Sequence, residues 1–248
     1  MNLMLTAIVL AKNEAENIKD CLATLAFCDQ TLVIDDQSTD DTVTLAQEAG
    51  ATVIKHPLNH DYAAQRNYAL TQAKNGWVLF VDADERVSPE LASEIQTAIQ
   101  NSNYQGYFLK REDILFGKKL THGETVNVRL LRLAQKSAGQ WSRQVHETWQ
   151  IKGPVGELQN PLKHYSHQDL TGFLTKMNEY STLHAQVLYK QGIKASLFQI
   201  IFYPLGKFLQ NWLLRGGFLD GMPGFIMAWM MSFHSFLSRA KLYLLWKE

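Results

Sequence analysis

Apolar and polar positions fall in alternating blocks along the first hundred residues. Residues 3–10 (Leu-Met-Leu-Thr-Ala-Ile-Val-Leu) form a nearly unbroken apolar run. A polar turn, Ala11-Lys12-Asn13-Glu14-Ala15-Glu16-Asn17, follows it, and then Ile18, Leu22 and Leu25 recur at helical spacing. Thr31-Leu32-Val33-Ile34 is a second short run, followed by Asp35-Asp36-Gln37-Ser38-Thr39-Asp40-Asp41-Thr42 and a helical stripe of Val43, Leu45, Ala46 and Ala49 that stops at Gly50. Residues 51–54 read as a third strand. Asp61 is placed to cap a helix carrying Ala63, Ala64, Gln65, Arg66, Asn67, Ala69 and Leu70. Four strand–helix alternations in about 100 residues predict an α/β fold, a mostly parallel sheet flanked by helices.

The fourth run, residues 77–81 (Trp-Val-Leu-Phe-Val), carries no charge and reads as a strand buried on both faces. Asp82, Ala83, Asp84, Glu85 and Arg86 come directly after it. A strand buried on both faces cannot keep unpaired carboxylates inside, so these acids belong where the strand leaves the sheet. In open α/β sheets that edge is where ligands bind. Closely packed carboxylates repel one another unless a cation lies among them, and hard oxygen donors favour Mg²⁺ or Mn²⁺. The plain alternative is a strand end with acidic helix-capping residues, since Ser88-Pro89-Glu90 is a good helix start. Neither the Gly-x-Gly-x-x-Gly turn of a dinucleotide site nor the Gly-Lys-Ser/Thr turn of a P-loop is present, so a diphosphate here needs a metal and a side-chain cation.

From Tyr104 the rhythm changes. Residues 106–110 and 128–133 read as strands without regular helices between them, and a Gly/Pro-punctuated stretch runs to Pro161. Residues 169–190 then carry Leu170, Phe173, Leu174, Met177, Tyr180, Leu183 and Val187 on one helical stripe. Beyond lie two strongly apolar runs, 197–205 and 225–231. Pro204 interrupts the first, and Ser232, His234, Ser235 and Arg239 follow the second. A lipid span needs about 20 predominantly apolar residues, so interfacial or packing helices fit better than a true span.

Composition adds one asymmetry. The 24 basic and 24 acidic residues balance, which gives no pointer to nucleic acid. Yet Lys190, Lys194, Lys207, Arg215, Arg239, Lys241 and Lys247 face only Asp220 and Glu248 in the tail, which is thus about +5. With Trp212, Trp229 and Trp246 among them, these cations suit the headgroup region of an anionic membrane face. A helical appendage packed on the rest of the chain, or a homodimer interface through these helices, is the alternative. Cys21 and Cys28 lack metal-ligand spacing and read as packing thiols of a reducing compartment. No basic signal-peptide region opens the sequence, so a cytoplasmic location is expected, peripheral to the cytoplasmic face of the inner membrane.

Taken together, Ala-Lys-Asn-Glu (11–14), Val-Ile-Asp-Asp-Gln-Ser-Thr-Asp-Asp-Thr (33–42), Ala-Gln-Arg-Asn (64–67) and Val-Asp-Ala-Asp-Glu (81–85) resemble the family 2 glycosyltransferases of GT-A fold, in order and spacing. Gln-Val-His-Glu (144–147) and Leu-Lys-His-Tyr-Ser (162–166) resemble the subgroup that adds sugar to the lipopolysaccharide inner core, similar to β-1,4-glucosyltransferases acting on heptose. The resemblance implies a GT-A catalytic domain over residues 1–167, with a nucleotide-sugar half (1–100) and an acceptor half (101–167). A C-terminal amphipathic helical extension over 168–248 completes the chain. It implies that Ala11, Asn13 and Glu14 line the nucleotide pocket, that Asp35 or Asp36 meets the uracil or ribose, and that Arg66 reaches the diphosphate. Asp82 would hold ribose or a metal-bound water, Asp84 would ligate Mg²⁺ or Mn²⁺, and Glu147 would be the general base. His-Glu stands there in place of the family's usual Glu-Asp pair.

Asp113 and Glu124 are rival bases. His146 and His164 are candidate metal ligands as well as ordinary hydrogen-bonded histidines, and Trp141 and Trp149 either stack on acceptor sugars or pack in the core. The expected partners are a UDP-sugar donor, a lipid-linked saccharide acceptor and the anionic inner-membrane surface. With one base and direct displacement, an α-linked donor gives a β-linked product. A nucleotidyltransferase of similar fold would want a Gly-rich basic N-terminal loop, which is missing. A silent binding or scaffold protein would be expected to lack one of Arg66, Asp84 or Glu147, and all three are present.

Overall fold

Residues 4–100, 103–144, 147–166 and 169–247 are described in the structure, a computed structural model. They form two compact units, Met1–Arg111 with Val128–His164, and Glu112–Asn127 with Tyr165–Glu248.

The first unit is built on β1 (Leu5–Ala11), α1 (Ile18–Ala23), β2 (Gln30–Asp35), α2 (Thr42–Glu48), β3 (Thr52–Lys55), α3 (Tyr62–Gln72), β4 (Trp77–Asp82), β5 (Glu85–Arg86) and α4 (Pro89–Ile99). β6 (Gly106–Leu115) begins in this unit and ends in the second, which holds β7 (Lys118–Lys119), and the first unit resumes with β8 (Arg129–Gln135), β9 (Gly139–Ser142), β10 (Thr148–Ile151), β11 (Val155–Glu157) and β12 (Leu162–His164). The sheet order is β3-β2-β1-β4-β8-β6-β12-β5, and β9 and β10 form a separate hairpin. β2, β1 and β4 run parallel, as do β2 and β3, while β8 is antiparallel to β4 and to β6. This is the mostly parallel, helix-flanked sheet that the apolar blocks predict.

The unbroken apolar runs follow from burial on both faces. Along β1, Leu5, Ala7, Val9 and Ala11 join one core with Leu79 and Val81 of β4, Ile18 and Leu22 of α1, and Leu91 and Ile95 of α4. Ile8, on the opposite face, joins Leu32, Ile34, Val78 and Phe80, together with Ala63, Ala69 and Leu70 of α3. Phe80 is fully buried, and truncating such a side chain to alanine costs about 3–5 kcal/mol. Helix starts are local. Asp61 accepts from the Ala64 amide at the head of α3, and Ser88 from the Leu91 amide ahead of Pro89.

The second unit holds α5 (Leu170–Lys190), α6 (Leu197–Leu209) and α7 (Gly221–Leu245). Asp169 caps α5, and Ser196 with Gln199 forms a capping box on α6. α6 runs on through Pro204, the residue that interrupts the apolar run in the sequence. Proline removes one helix hydrogen bond, but Pro204 is buried and its carbonyl accepts the Ser232 hydroxyl of α7 at 2.7 Å. Among the described residues, no helix is long and apolar enough to cross a membrane.

Candidate active site

Register places the acids. Leu10 pairs with Asp82 and Ala11 with Asp35, so the carboxyl ends of β4 and β2 flank the end of β1. The chain reverses direction across the sheet here, and such points receive ligands in α/β folds.

On the β2 side the loops are stitched together. The Asn13 amide donates to Ser38 Oγ at 2.9 Å, and Asn13 Oδ1 accepts the Thr39 amide at 2.8 Å. The Glu14 amide donates to Thr42 Oγ1, and Glu14 Oε2 accepts from Asn17. Asn13 and Gln37 hold φ of 53° and 56°, a left-handed backbone that asparagine tolerates better than most residues. Asp35 is fully buried and accepts the Ser38 amide. Asp36 accepts the Leu58 amide at 2.8 Å and Lys12 Nζ at 2.9 Å. Thus Ala11, Asn13, Glu14, Asp35 and Asp36 shape one rim, with both aspartates engaged by their surrounding turns.

On the β4 side lies a charge cluster. Arg66, on the buried face of α3, donates from Nε to Glu147 Oε1 at 2.9 Å and from Nη2 to Asp82 Oδ1 at 3.1 Å. Its guanidinium lies 4.8 Å from the Trp141 ring centroid and 5.3 Å from that of Phe80. Nη1 of this arginine is buried without a hydrogen-bond partner. Arg132 of β8 completes the cluster, Nη2 reaching Asp82 Oδ2 at 2.5 Å and Nη1 reaching Oδ1 at 3.4 Å. Burial works against ionisation of Asp82, but Arg132 and then Arg66 outweigh it and hold the carboxyl well below the usual range. About a third of that side chain's surface still meets solvent, although both carboxylate oxygens are taken by guanidinium groups.

Glu85 lies beneath the turn, fully buried. Its Oε2 accepts the Asp82 amide at 2.8 Å, and burial pushes its carboxyl up despite Arg132 nearby. Cys21 is buried beside it and donates Sγ–H to the Asp82 carbonyl at 3.6 Å. Burial pushes that thiol up as well.

Asp84 meets a histidine. Register sets His164 opposite Glu85, and His164 Nε2 lies 3.4 Å from Asp84 Oδ2 with both side chains mostly buried. One carboxylate oxygen and one imidazole nitrogen fit a divalent cation that draws its other ligands from phosphate and water. Among the described residues there is no group of three or more His, Cys, Asp and Glu that could hold a metal alone. Asp84 and His164 are the side chains here that could contribute ligands to such an ion. Asp82 is committed to arginine.

Other sequence candidates fall elsewhere. Glu124 accepts from Asn211 and pairs with Arg215 and Lys207 inside the second unit, which also contains the buried Asp113. His146 lies outside the described residues. Trp141 and Trp149 are buried, stacked on each other at 5.2 Å and set edge-on to Phe80, so they are core residues. Arg132 and Glu85 were given no role from the sequence. The available signal was a lone cation inside an apolar strand, Leu130-Leu131-Arg132-Leu133-Ala134, which must find a buried anion.

The pattern of "Glycosyl transferase family 2" matches residues 6–149, more than half of the chain. The chain belongs to glycosyl transferase family 2. This glycosyltransferase is 30% identical over 249 residues to a lipopolysaccharide core biosynthesis glycosyltransferase, LpsC, of Rhizobium meliloti, an alignment covering 97% of this chain and 92% of LpsC. It is also 30% identical to an uncharacterised glycosyltransferase of Rickettsia felis, over 96% and 89% of the two chains. Among solved structures it is similar to residues 1–349 of TarS from S. aureus, with TM-score 0.50, 14% identity and coverage of 99% and 91%. A second likeness is to glucosyl-3-phosphoglycerate synthase of Mycobacterium tuberculosis, crystallised with Mn²⁺, UDP-glucose and phosphoglyceric acid. There the TM-score is 0.50 and the identity 14%, over 78% and 81% of the chains. These two structures have the GT-A architecture that the sequence implied.

Proposed function

We propose that this glycosyltransferase moves a hexose, glucose from UDP-glucose, onto a lipid-linked saccharide whose acceptor is lipopolysaccharide core heptose. The observation that carries the donor reading is the buried Arg66 Nη1 without a partner, set at the strand end beside Asp82. An N–H donor of a fixed guanidinium in that position suits a phosphate oxygen. The named role of LpsC supports the acceptor class. The ligands named for the mycobacterial synthase support UDP-glucose with a divalent ion.

Asp84 and His164 would hold Mg²⁺ or Mn²⁺, which when bound supplies charge neutralisation to the departing diphosphate. Ala11, Asn13 and Glu14 line the nucleotide pocket, Asp35 or Asp36 meets uracil or ribose, and Asp82 meets ribose. Arg66 turns from both of its carboxylate partners, Asp82 and Glu147, to the diphosphate. Glu147, released from Arg66, accepts the proton of the attacking acceptor hydroxyl. The acceptor oxygen bonds to the anomeric carbon as the bond to the diphosphate oxygen breaks, and its electron pair leaves with UDP. Inversion follows, from α-linked donor to β-linked product.

The catalytic domain in this reading spans residues 1–167, with the helical extension from 168 to 248. Exposed Leu197, Phe198, Ile201, Phe202 and Leu205 on α6, within a cationic tail, support peripheral association with the anionic cytoplasmic face of the inner membrane. A homodimer through the same helices is the competing use of that face.

A panel of sugar nucleotides incubated with Mg²⁺ or Mn²⁺ and heptose-bearing lipopolysaccharide acceptor tests this. UDP-glucose should be consumed with formation of a β-glucoside, and Asp84→Asn should abolish it. Equal turnover by that variant sinks the metal assignment, and use of a different donor sinks the glucose assignment.

A further inference from the structure

Two arginines converge on one carboxylate here, and they are not equivalent. Arg66 divides its guanidinium between Asp82, Glu147 and an unpartnered nitrogen. Arg132 sets Nη1 and Nη2 on the two oxygens of Asp82, with Glu85 Oε1 3.9 Å from Nη2. Its side chain is 8% exposed, and it sits on β8 next to β4, a central position of the sheet. A two-pronged grip of this kind fixes the plane of the carboxylate as well as its place. Glu85 braces the same turn from below, through the Asp82 amide.

Consider what donor binding demands. If Arg66 turns toward a diphosphate, Asp82 loses one of its two cations. A carboxylate held charged by two guanidinium groups loses part of that support when one of them leaves. Arg132 remains, so the exchange at Arg66 leaves Asp82 paired and in place. We propose that Arg132 is the positioning residue of the donor site, holding Asp82 and the 82–85 turn fixed while Arg66 exchanges a carboxylate for phosphate. The proposal rests on the donor-binding reading above and adds to it a residue that does not touch the donor.

The test is a double-mutant cycle on UDP binding, measured by calorimetry without divalent ion, alongside steady-state kinetics. Arg132→Lys keeps the charge and loses the fork. It should fold, raise the UDP dissociation constant and the donor KM by about 10–100-fold, as loss of supporting contacts around a site does, and leave the acceptor KM within about twofold. Arg132→Gln should weaken UDP binding in the wild-type background. It should add less than about twofold when Asp82 is already Asn, because its action runs through that carboxylate. The Arg132→Gln/Asp82→Asn pair removes both charges together, which keeps the cycle readable if Arg132→Gln alone fails to fold.

A folded Arg132→Lys protein with donor KM and UDP affinity within about twofold of wild type overturns the proposal. So does an undiminished Arg132→Gln effect in the Asp82→Asn background. Wild-type protein that binds no UDP with or without Mn²⁺ overturns the donor reading itself. Wild-type binding with an indifferent Arg132 overturns this inference alone.

Discussion

Arg66 Nε lies 2.9 Å from Glu147 Oε1, across 81 positions of sequence, so the acid assigned as base is ion-paired to the cation assigned to the diphosphate. A carboxylate oxygen occupied by a guanidinium must be released before it can meet an acceptor hydroxyl. Donor binding and base activation are thereby linked through one side chain.

Replacing the base isolates its share. Glu147→Gln should lower kcat by about 10²–10⁴-fold while UDP still binds, since Arg66 loses a competing anion. Single-turnover assays with calorimetry on UDP separate the two. A kcat within about threefold of wild type would move the base to another acid.

The metal assignment predicts a selective loss. His164→Ala should weaken the divalent-ion dependence of UDP binding by about 10–100-fold and leave ion-free UDP binding intact. Titrating Mn²⁺ into the UDP complex measures it. Asp82→Asn, by contrast, should weaken UDP binding even without the ion.

Asp220 makes the second unit sensitive to acid. It is almost fully buried, and burial raises its carboxyl. The Thr121 hydroxyl, His122 and the two loop amides outweigh that and hold it below its ordinary value. A depressed folded value means that its stabilisation is complete above the unfolded carboxyl range of about 3.9 and is lost as pH falls through the folded value. Asp220→Asn should therefore destabilise by about 1–3 kcal/mol at neutral pH and flatten the acid limb of the stability curve. Urea unfolding from pH 7 down to pH 3 reads both effects. A parallel, undiminished acid limb in the variant would assign the sensitivity elsewhere.

The exposed α6 face predicts membrane behaviour. Phe198 and Phe202 are 62% and 51% exposed and stack on each other at 4.5 Å. Phe198→Asp with Phe202→Asp should cut co-sedimentation with phosphatidylglycerol vesicles by about tenfold or more, given about 1.5–3 kcal/mol per buried aromatic. Loss of a dimer in sedimentation velocity, with vesicle binding unchanged, would reassign that face to self-association.

Much of the first unit is legible because its strands are buried on both faces and must read as apolar runs. β1 and β4 announce themselves in this way, and Asp61 and Ser88 mark helix starts through purely local hydrogen bonds. Asp82 at a strand end follows from the cost of burying charge. Arg132 eluded the same reading because its partner is set by the antiparallel pairing of β4 with β8, about fifty residues on, and strand order is not a local property.

The thiol of Cys21, shut away with its hydrogen on the Asp82 carbonyl, gives the enzyme a built-in gauge. With the half-buried Cys28 replaced by serine, alkylating reagents can reach that sulfur only when α1 and the end of β4 separate. The labelling rate thus counts openings of the catalytic strand. Ligands that clamp the Asp82 turn should slow the clock in proportion to their grip, with no need to watch any sugar move.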